Sequence, residues 1–370
     1  MTATLSTITG KSRTIAVEPA SFAQFTLTDS QPVDAARALA HPKWTLYCLD
    51  IPSRTALFID VAKGTDLAAA PFAYEAQFQH ATQALIVPFA AFIATAKSQD
   101  PPEKLLLIFS TGRCGSTLFS RVLAAMPGVW SLSEPDAFTN LALRGAGLSQ
   151  GDLQDLLKAA MAHVFRPPAR HRIFAPKFRS EVFSQIPAYT QAFPNAVTCF
   201  LYRDMIGYVN SSYKLMQNLG HPDAQIPYEE AASWWAKLSV SSAADGLDHL
   251  IADKRASVGW EVFMAARWIE RMEGCFAAQN DHHPMHMISY ADMTTSPNTA
   301  FAPVLDACGL SPDDLDRVAD VFARDSQSGT VASTRGRAAD LSQAQIANLK
   351  NLAATNDRLQ RVQAQLTPQP

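Results

Sequence analysis

The chain has no apolar run approaching the roughly 20 residues that a membrane-crossing helix needs. The longest candidate, residues 84–96, is short and carries Pro88. Residues 1–14 contain no apolar core of the kind a secretory leader requires, so none is expected there. Cysteine is sparse: Cys48, Cys114, Cys199, Cys275 and Cys308 are scattered and odd in number, which suits reduced thiols in a cytoplasm rather than a disulfide framework. A strong charge of one sign is missing too, and a net charge of −3 over 370 residues argues against nucleic acid or a long polyanionic glycan as partner. With 48% hydrophobic residues, the chain nevertheless carries enough apolar surface for one large domain and a small one.

A nucleotide-triphosphate loop of the form Gly-x4-Gly-Lys-Ser/Thr is also absent. Only two residues separate Gly112 from Gly115, and no Lys precedes Ser116. What stands there instead is an apolar run, residues 105–109, that predicts a buried parallel strand, then a tight turn permitted by the two glycines, then an amphipathic helix from Ser116. Free N–H groups at such a helix start, with the dipole behind them, attract an anion. Arg113, Cys114, Gly115, Ser116 and Thr117 add a fixed cation and two hydroxyls, a set suited to the sulfonate and 5′-phosphate of a small donor.

This loop resembles the phosphosulfate loop of the sulfotransferase family, Pro-Lys/Arg-Ser-Gly-Thr/Ser-Thr after the first strand, with Thr111-Gly112 where Pro is usual. The resemblance implies 3′-phosphoadenosine 5′-phosphosulfate (PAPS) as donor and no metal. A second match follows the apolar run 197–201: Arg203 at the strand end and Ser211 eight positions on. A cation at a strand end and a hydroxyl two turns into the next helix can converge on one phosphate, and the family uses them for the donor's 3′-phosphate. A structural alternative pairs Arg203 with Asp204 and lets Ser211 bond back within its helix. A third segment, Ile173-Phe174-Ala175-Pro176-Lys177, is similar to the Lys-bearing strand of protein-tyrosine and many bacterial sulfotransferases. There Lys177 would neutralise charge growing on the leaving phosphate oxygen; otherwise it is a solvated surface charge.

Glu134 lies on the loop leaving the short apolar run 129–132, the end of a strand where ligands bind in open α/β sheets. In the same subgroups a Glu at this place is the general base, and the His motif of cytosolic aryl and steroid sulfotransferases is absent. The alternative is that Glu134 caps a helix beginning after Pro135. A fourth match spans residues 287–293, similar to the family's late Tyr-Glu-Asp-Leu strand, followed by a helix from Pro297 to Gly309. It offers Tyr290 as an adenine contact or as a core aromatic. Farther on, a polar stretch offers Arg335 and Arg337 for the late basic loop that many relatives fold over the 3′-phosphate.

Residues 1–98 match no motif. Two β-like runs, 44–49 and 55–61, read as an antiparallel hairpin, and residues 73–96 read as a helical stretch broken near Pro88. Consecutive prolines at 101 and 102 mark a boundary. Between 228 and 280 the pattern turns helical, with Trp234, Trp235, Trp260, Phe263 and Trp268 on apolar stripes that either pack the core or roof an acceptor pocket. Arg166, Arg170, His171, Arg172, Lys177 and Arg179 form a basic run, a solvated loop or a steering surface for an anion. Around His282, His283 and His286 no carboxylate or thiol completes a metal ligand set. Residues 341–366 read as one amphipathic helix with Leu352, Leu359 and Leu366 at heptad spacing, packed on the sheet or paired in a dimer.

The expected architecture is therefore α/β: a P-loop-like parallel sheet of four or five strands flanked by helices over residues 99–340. An N-terminal α+β accessory module occupies 1–98 and a C-terminal helix 341–370. The resemblance implies transfer of a sulfonate from PAPS to a hydroxyl of a small molecule, lipid or glycan by a bacterial-type cytoplasmic enzyme, monomeric or homodimeric, with 3′,5′-adenosine bisphosphate released. Two other readings stay open: a P-loop kinase-like phosphotransferase, and a nucleotide-binding partner protein without catalysis.

Overall fold

The structure, a computed structural model, describes the chain except residues 63, 100, 166–170, 222–224, 252–253, 281–283, 312–313, 316–317, 323–325, 331, 334–337 and 367–370. Arg166, Arg170, His282, His283, Arg335 and Arg337 lie outside the described residues.

Five strands form an antiparallel N-terminal sheet: β1 (Thr2–Lys11), β2 (Phe25–Asp34), β3 (Trp44–Asp50), β4 (Thr55–Asp60) and β5 (Gln83–Pro88), in the order β2-β1-β5-β4-β3. A second sheet is wholly parallel and contains β6 (Lys104–Ser110), β7 (Val129–Ser133), β8 (Ile173–Lys177), β9 (Val197–Tyr202) and β12 (His286–Ser289), ordered β12-β9-β6-β8-β7. A small ribbon pairs β10 (Gln225–Pro227) with β11 (Ser257–Gly259). The parallel strands are apolar on both faces, as a sheet covered twice requires. In β6, Leu105, Leu107 and Phe109 enter one core while Leu106 and Ile108 enter another. Because β6 is flanked by β8 on one side and β9 on the other, the chain changes direction at its carboxyl end and a crevice opens there.

The hairpin of β3 and β4 forms as the alternation indicates. The expected helical stretch 73–96 does not. It resolves into a helix (Ala73–His80), strand β5 and a second helix (Phe89–Ala96). The residues of β5 have period two, not 3.6: Leu85 and Val87 face one core, Ala84 and Ile86 the other, and β-branched neighbours between β1 and β4 favour a strand. The expected single C-terminal helix is two, Gln343–Thr355 and Asp357–Leu366. Asn356 breaks it, its Oδ1 accepting from the N–H groups of Arg358 (3.0 Å) and Leu359 (3.1 Å) and so capping the second helix. Leu349, Leu359 and Val362 are buried in the main core, and both helices pack on the long helix Trp260–Asn280. The late strand is also shorter than expected. It stops at Ser289, whose hydroxyl accepts from Asp292 N (3.0 Å), and Tyr290 opens a helix, Tyr290–Thr295.

The N-terminal sheet shares its core with the rest of the chain. One continuous apolar cluster runs from Trp44, Leu49 and Phe58 through Phe109 and Phe138 to Trp235 and Leu359. Polar contacts sew the same seam. Buried Asn140 accepts from Leu49 N through Oδ1 and donates to Ala20 O through Nδ2, each at 2.9 Å. Asn140→Ala would orphan two buried backbone groups and is expected to cost about 2–5 kcal/mol in urea unfolding. A loss below about 0.5 kcal/mol would mean that water or a relaxed backbone replaces both bonds.

Candidate active site

Strand β6 ends at Ser110, and the chain then turns through Gly112 (φ 77°), Arg113 (φ 52°) and Gly115 (φ 80°) before the cradle helix Ser116–Ala125. Successive left-handed residues point backbone N–H groups into one concavity, a nest for an anion. The helix start carries no side-chain cap, so its N–H groups remain available to that anion. Gly115 is required twice over: its φ favours glycine, and a Cβ there would stand 2.2 Å from Met293 Cε and 3.0 Å from Tyr290 Cδ2. Arg113 is fixed by three contacts: its Nε donates to Ser211 Oγ (3.0 Å), Nη1 to Gln327 Oε1 (3.2 Å) and Nη2 to Ala332 O (3.3 Å). Cys114 turns away from the nest; its thiol is buried and donates to Leu201 O at 3.3 Å.

Across the crevice, β7 delivers Glu134 and β8 delivers Lys177. Glu134 N donates to Lys177 O (2.6 Å), and the carboxylate Oε1 meets Lys177 Nζ at 2.5 Å. Lys177 is 2% exposed, so it is no solvated surface charge. Glu134 does not cap a helix. The next one begins at Ala137 with Asp136 before it, and Glu134 holds a left-handed φ of 56°, unusual outside glycine and typical of functional loops. Its second oxygen lies 3.7 Å from Arg179 Nε. Arg179 is itself clamped by fully buried Asp136 through bonds of 2.5 and 2.8 Å, and it donates to Val17 O at 2.8 Å. The basic run therefore does not form one steering surface. Lys177 and Arg179 are interior groups, whereas Arg172 is exposed and paired with Glu103 at 3.0 Å.

Arg203 follows β9, its guanidinium 4.3 Å over the Tyr290 ring and its Nε without a partner. Asp204 does not pair with it; that carboxylate instead caps the helix Met205–Asn218, accepting from Gly207 N at 2.8 Å. Ser211 bonds Arg113, not its own helix. The late polar stretch reaches the cradle through Gln327, which also touches Thr117 Oγ1 at 3.4 Å. Among the described residues no group of three or more His, Cys, Asp or Glu could hold a metal ion.

Arg113, Ser116, Thr117, Glu134, Lys177, Arg179 and Gln327 border one cavity of about 190 Å3, whereas Cys114, Gly115, Arg203, Ser211 and Tyr290 are not part of its lining. Its floor is the cradle with Lys177 and Glu134, and one wall comes from the N-terminal module through Ile15, Val17, Phe72 and Tyr74. Of the aromatic stripes, Trp234, Trp260 and Phe263 line the far end, while Trp235 and Trp268 are core. Sequence reasoning missed three charged residues of this cavity: Glu181, Arg267 and Arg271. Glu181 Oε1 accepts from Arg267 Nη2 (2.7 Å) and Arg271 Nη2 (3.1 Å). The signal available was two arginines four apart in an otherwise apolar helical face.

No family model matches the chain, and no curated protein matches it. Among solved structures it is similar to the sulfotransferase domain from the curacin biosynthetic pathway, at 13% identity over 74% of this chain and 99% of that one, with a TM-score of 0.42. It is also similar to mouse sulfotransferase SULT7A1 complexed with PAP, at 12% identity over 74% and 93% of the two chains, with a TM-score of 0.37. Likenesses of this size assign no reaction, and the reading of the site rests on its own geometry.

Burial pushes the Glu181 carboxyl up, but Arg271, Arg267 and Arg179 outweigh it and hold the group below the usual carboxylate range. A depressed native pKa contributes stability above the unfolded value, about 4.3, that is lost as pH falls through the native one. Glu181→Gln should therefore cost about 3–5 kcal/mol at pH 7, and the gap to the parent protein should narrow progressively as pH falls below about 4.3. Thermal melts from pH 7 to 3 test this, and a gap independent of pH would refute an ionic role.

Proposed function

We propose that the chain is a sulfotransferase that moves a sulfonate from PAPS to an acceptor hydroxyl. The observation that carries the reading is the Glu134–Lys177 contact of 2.5 Å at the mouth of an N–H nest. It sets a base and a cation side by side where the reacting oxygens would meet. The nest and Arg113 suit the 5′-phosphosulfate, and Arg203, stacked on Tyr290 with a free Nε, suits the 3′-phosphate beside the adenine.

In this reading the acceptor oxygen bonds to sulfur as the bond from sulfur to the 5′-phosphate oxygen breaks, and Glu134 takes the hydroxyl proton. Lys177 answers the charge that grows on the departing oxygen. The two roles are coupled through their shared contact, because a protonated Glu134 holds an ammonium less tightly and frees Lys177 when the leaving group needs it. A binding module without catalysis would have no use for a buried Lys beside a strained Glu. A kinase-like reading lacks the cradle Lys before Ser116.

Calorimetric titration should show micromolar binding of 3′,5′-adenosine bisphosphate, weakened at least tenfold by Arg203→Ala. A preference for ATP with magnesium would overturn the donor assignment. Glu134→Gln keeps shape without basicity and should lower turnover by about 10²–10⁴-fold with bisphosphate binding intact. Unchanged turnover would remove Glu134 as the base.

A further inference from the structure

Two helices wall the cavity beyond the cradle, each with a graded stripe. On Trp260–Asn280, the cavity face reads Trp260, Phe263, Met264, Arg267 and Arg271; on Met205–Asn218 it reads Tyr208, Ser212, Leu215 and Met216. Both spacings keep one face of a helix. The polar ends adjoin the cradle, where Arg271 Nη1 donates to Thr111 O at 3.0 Å and to the Tyr208 hydroxyl. The apolar ends lie farther out, with Trp260 about 16 Å along the axis from Arg271.

Along these stripes four buried polar atoms have no partner: Arg267 Nη1, Arg271 Nε and Ser212 Oγ toward the cradle, and Trp260 Nε1 at the apolar end. The two arginine atoms can only donate, so a ligand that satisfies them must bring acceptor oxygens. Charge points the same way. Arg267 and Arg271 share the single carboxylate of Glu181, and nearby Glu270 is occupied by Ser239 and Ser241. Arg267 is 4% exposed, and a buried guanidinium with half a counter-ion favours an anion. It sits one turn beyond Arg271, about 6 Å farther from the cradle, which separates it from the phosphosulfate.

We propose that this chamber takes the acceptor and that the acceptor is an amphipathic hydroxy acid, its carboxylate on Arg267 and its alkyl or aryl body among Trp234, Trp260 and Phe263. The hydroxyl then points back to Glu134. This assignment rests on the sulfotransferase reading for the word acceptor, though not for the chemistry of the chamber.

The test measures binding to the full chain by tryptophan fluorescence and calorimetry, with two acid–alcohol pairs: 3-hydroxydecanoate with 1,3-decanediol, and 3-hydroxy-3-phenylpropionate with 1-phenyl-1,3-propanediol. At least one acid should bind about tenfold tighter than its alcohol, as a charge-assisted pair provides. Arg267→Gln should cut that preference below threefold, and Arg267→Lys should keep part of it. Equal binding of acid and alcohol, a preference that survives Arg267→Gln, or no binding by any of the four would overturn the proposal. Titration of the same samples with 3′,5′-adenosine bisphosphate shows that the variants are folded and separates the two readings. Bisphosphate binding without acid preference defeats the chamber assignment alone; acid preference without bisphosphate binding defeats the donor assignment alone.

Discussion

The buried pair of Asp136 and Arg179 is the contact on which the rest of the site depends. Asp136 is fully buried and takes two bonds from Arg179 and one from Ala20 N. Either ion alone at that depth would be costly; together, with the Val17 carbonyl on the guanidinium, they bind three parts of the chain at one point. The loop between β1 and β2 is drawn onto the parallel sheet, the exit of β7 is held, and Arg179 is placed beside Glu134. The Arg179 guanidinium also lies 4.0 Å over the Tyr74 ring, so the helix after β4 joins the same knot.

The cradle is held together by a different principle. Its geometry relies on left-handed backbone at Gly112, Arg113 and Gly115, and Arg113, which is not glycine, needs outside support to remain there. Ser211, Gln327 and Ala332 provide it from two distant segments. Glu134 is the second non-glycine residue of the crevice with positive φ, and its anchor is the neighbouring strand through Lys177 O. Strain and ion pairing thus concentrate at the carboxyl ends of β6, β7 and β8, where an open sheet places its chemistry.

Much of this could be read from the residues. The apolar runs that became β6, β8 and β9, the glycine turn and the Pro-initiated helix were legible because a doubly covered parallel sheet writes continuous apolar segments. Strands β1 and β2 were not, since an edge pair such as Thr2–Lys11 with Phe25–Asp34 is rich in Thr and Ser and lacks a clean alternation. Strand β5 was hidden between two alanine-bearing helical segments, Ala73–His80 and Phe89–Ala96, that suggest one continuous helix across it. In the site, positions at or just beyond a strand end could be named: Arg113, Glu134, Lys177 and Arg203. Their partners could not, because Ser211 with Arg113, or Glu181 with Arg267 and Arg271, meet only through tertiary packing. The break at Asn356 was visible in principle as a capping residue within an otherwise periodic run.

The loop between β1 and β2 is anchored at its start by the Arg13 side chain, which donates to the Tyr47 hydroxyl and to Tyr74 O, and beside the cavity by backbone groups: Val17 through its carbonyl, Ala20 through both its N–H and its carbonyl, and Pro19 through a carbonyl that accepts from Gln24. The side chains of Ile15, Val17 and Pro19 face the cavity and carry none of that attachment. Folding and lining are thereby uncoupled along one stretch of chain. Selection, or a library built on these three positions, can reshape the wall of the chamber while the anchor that keeps it in place stays the same.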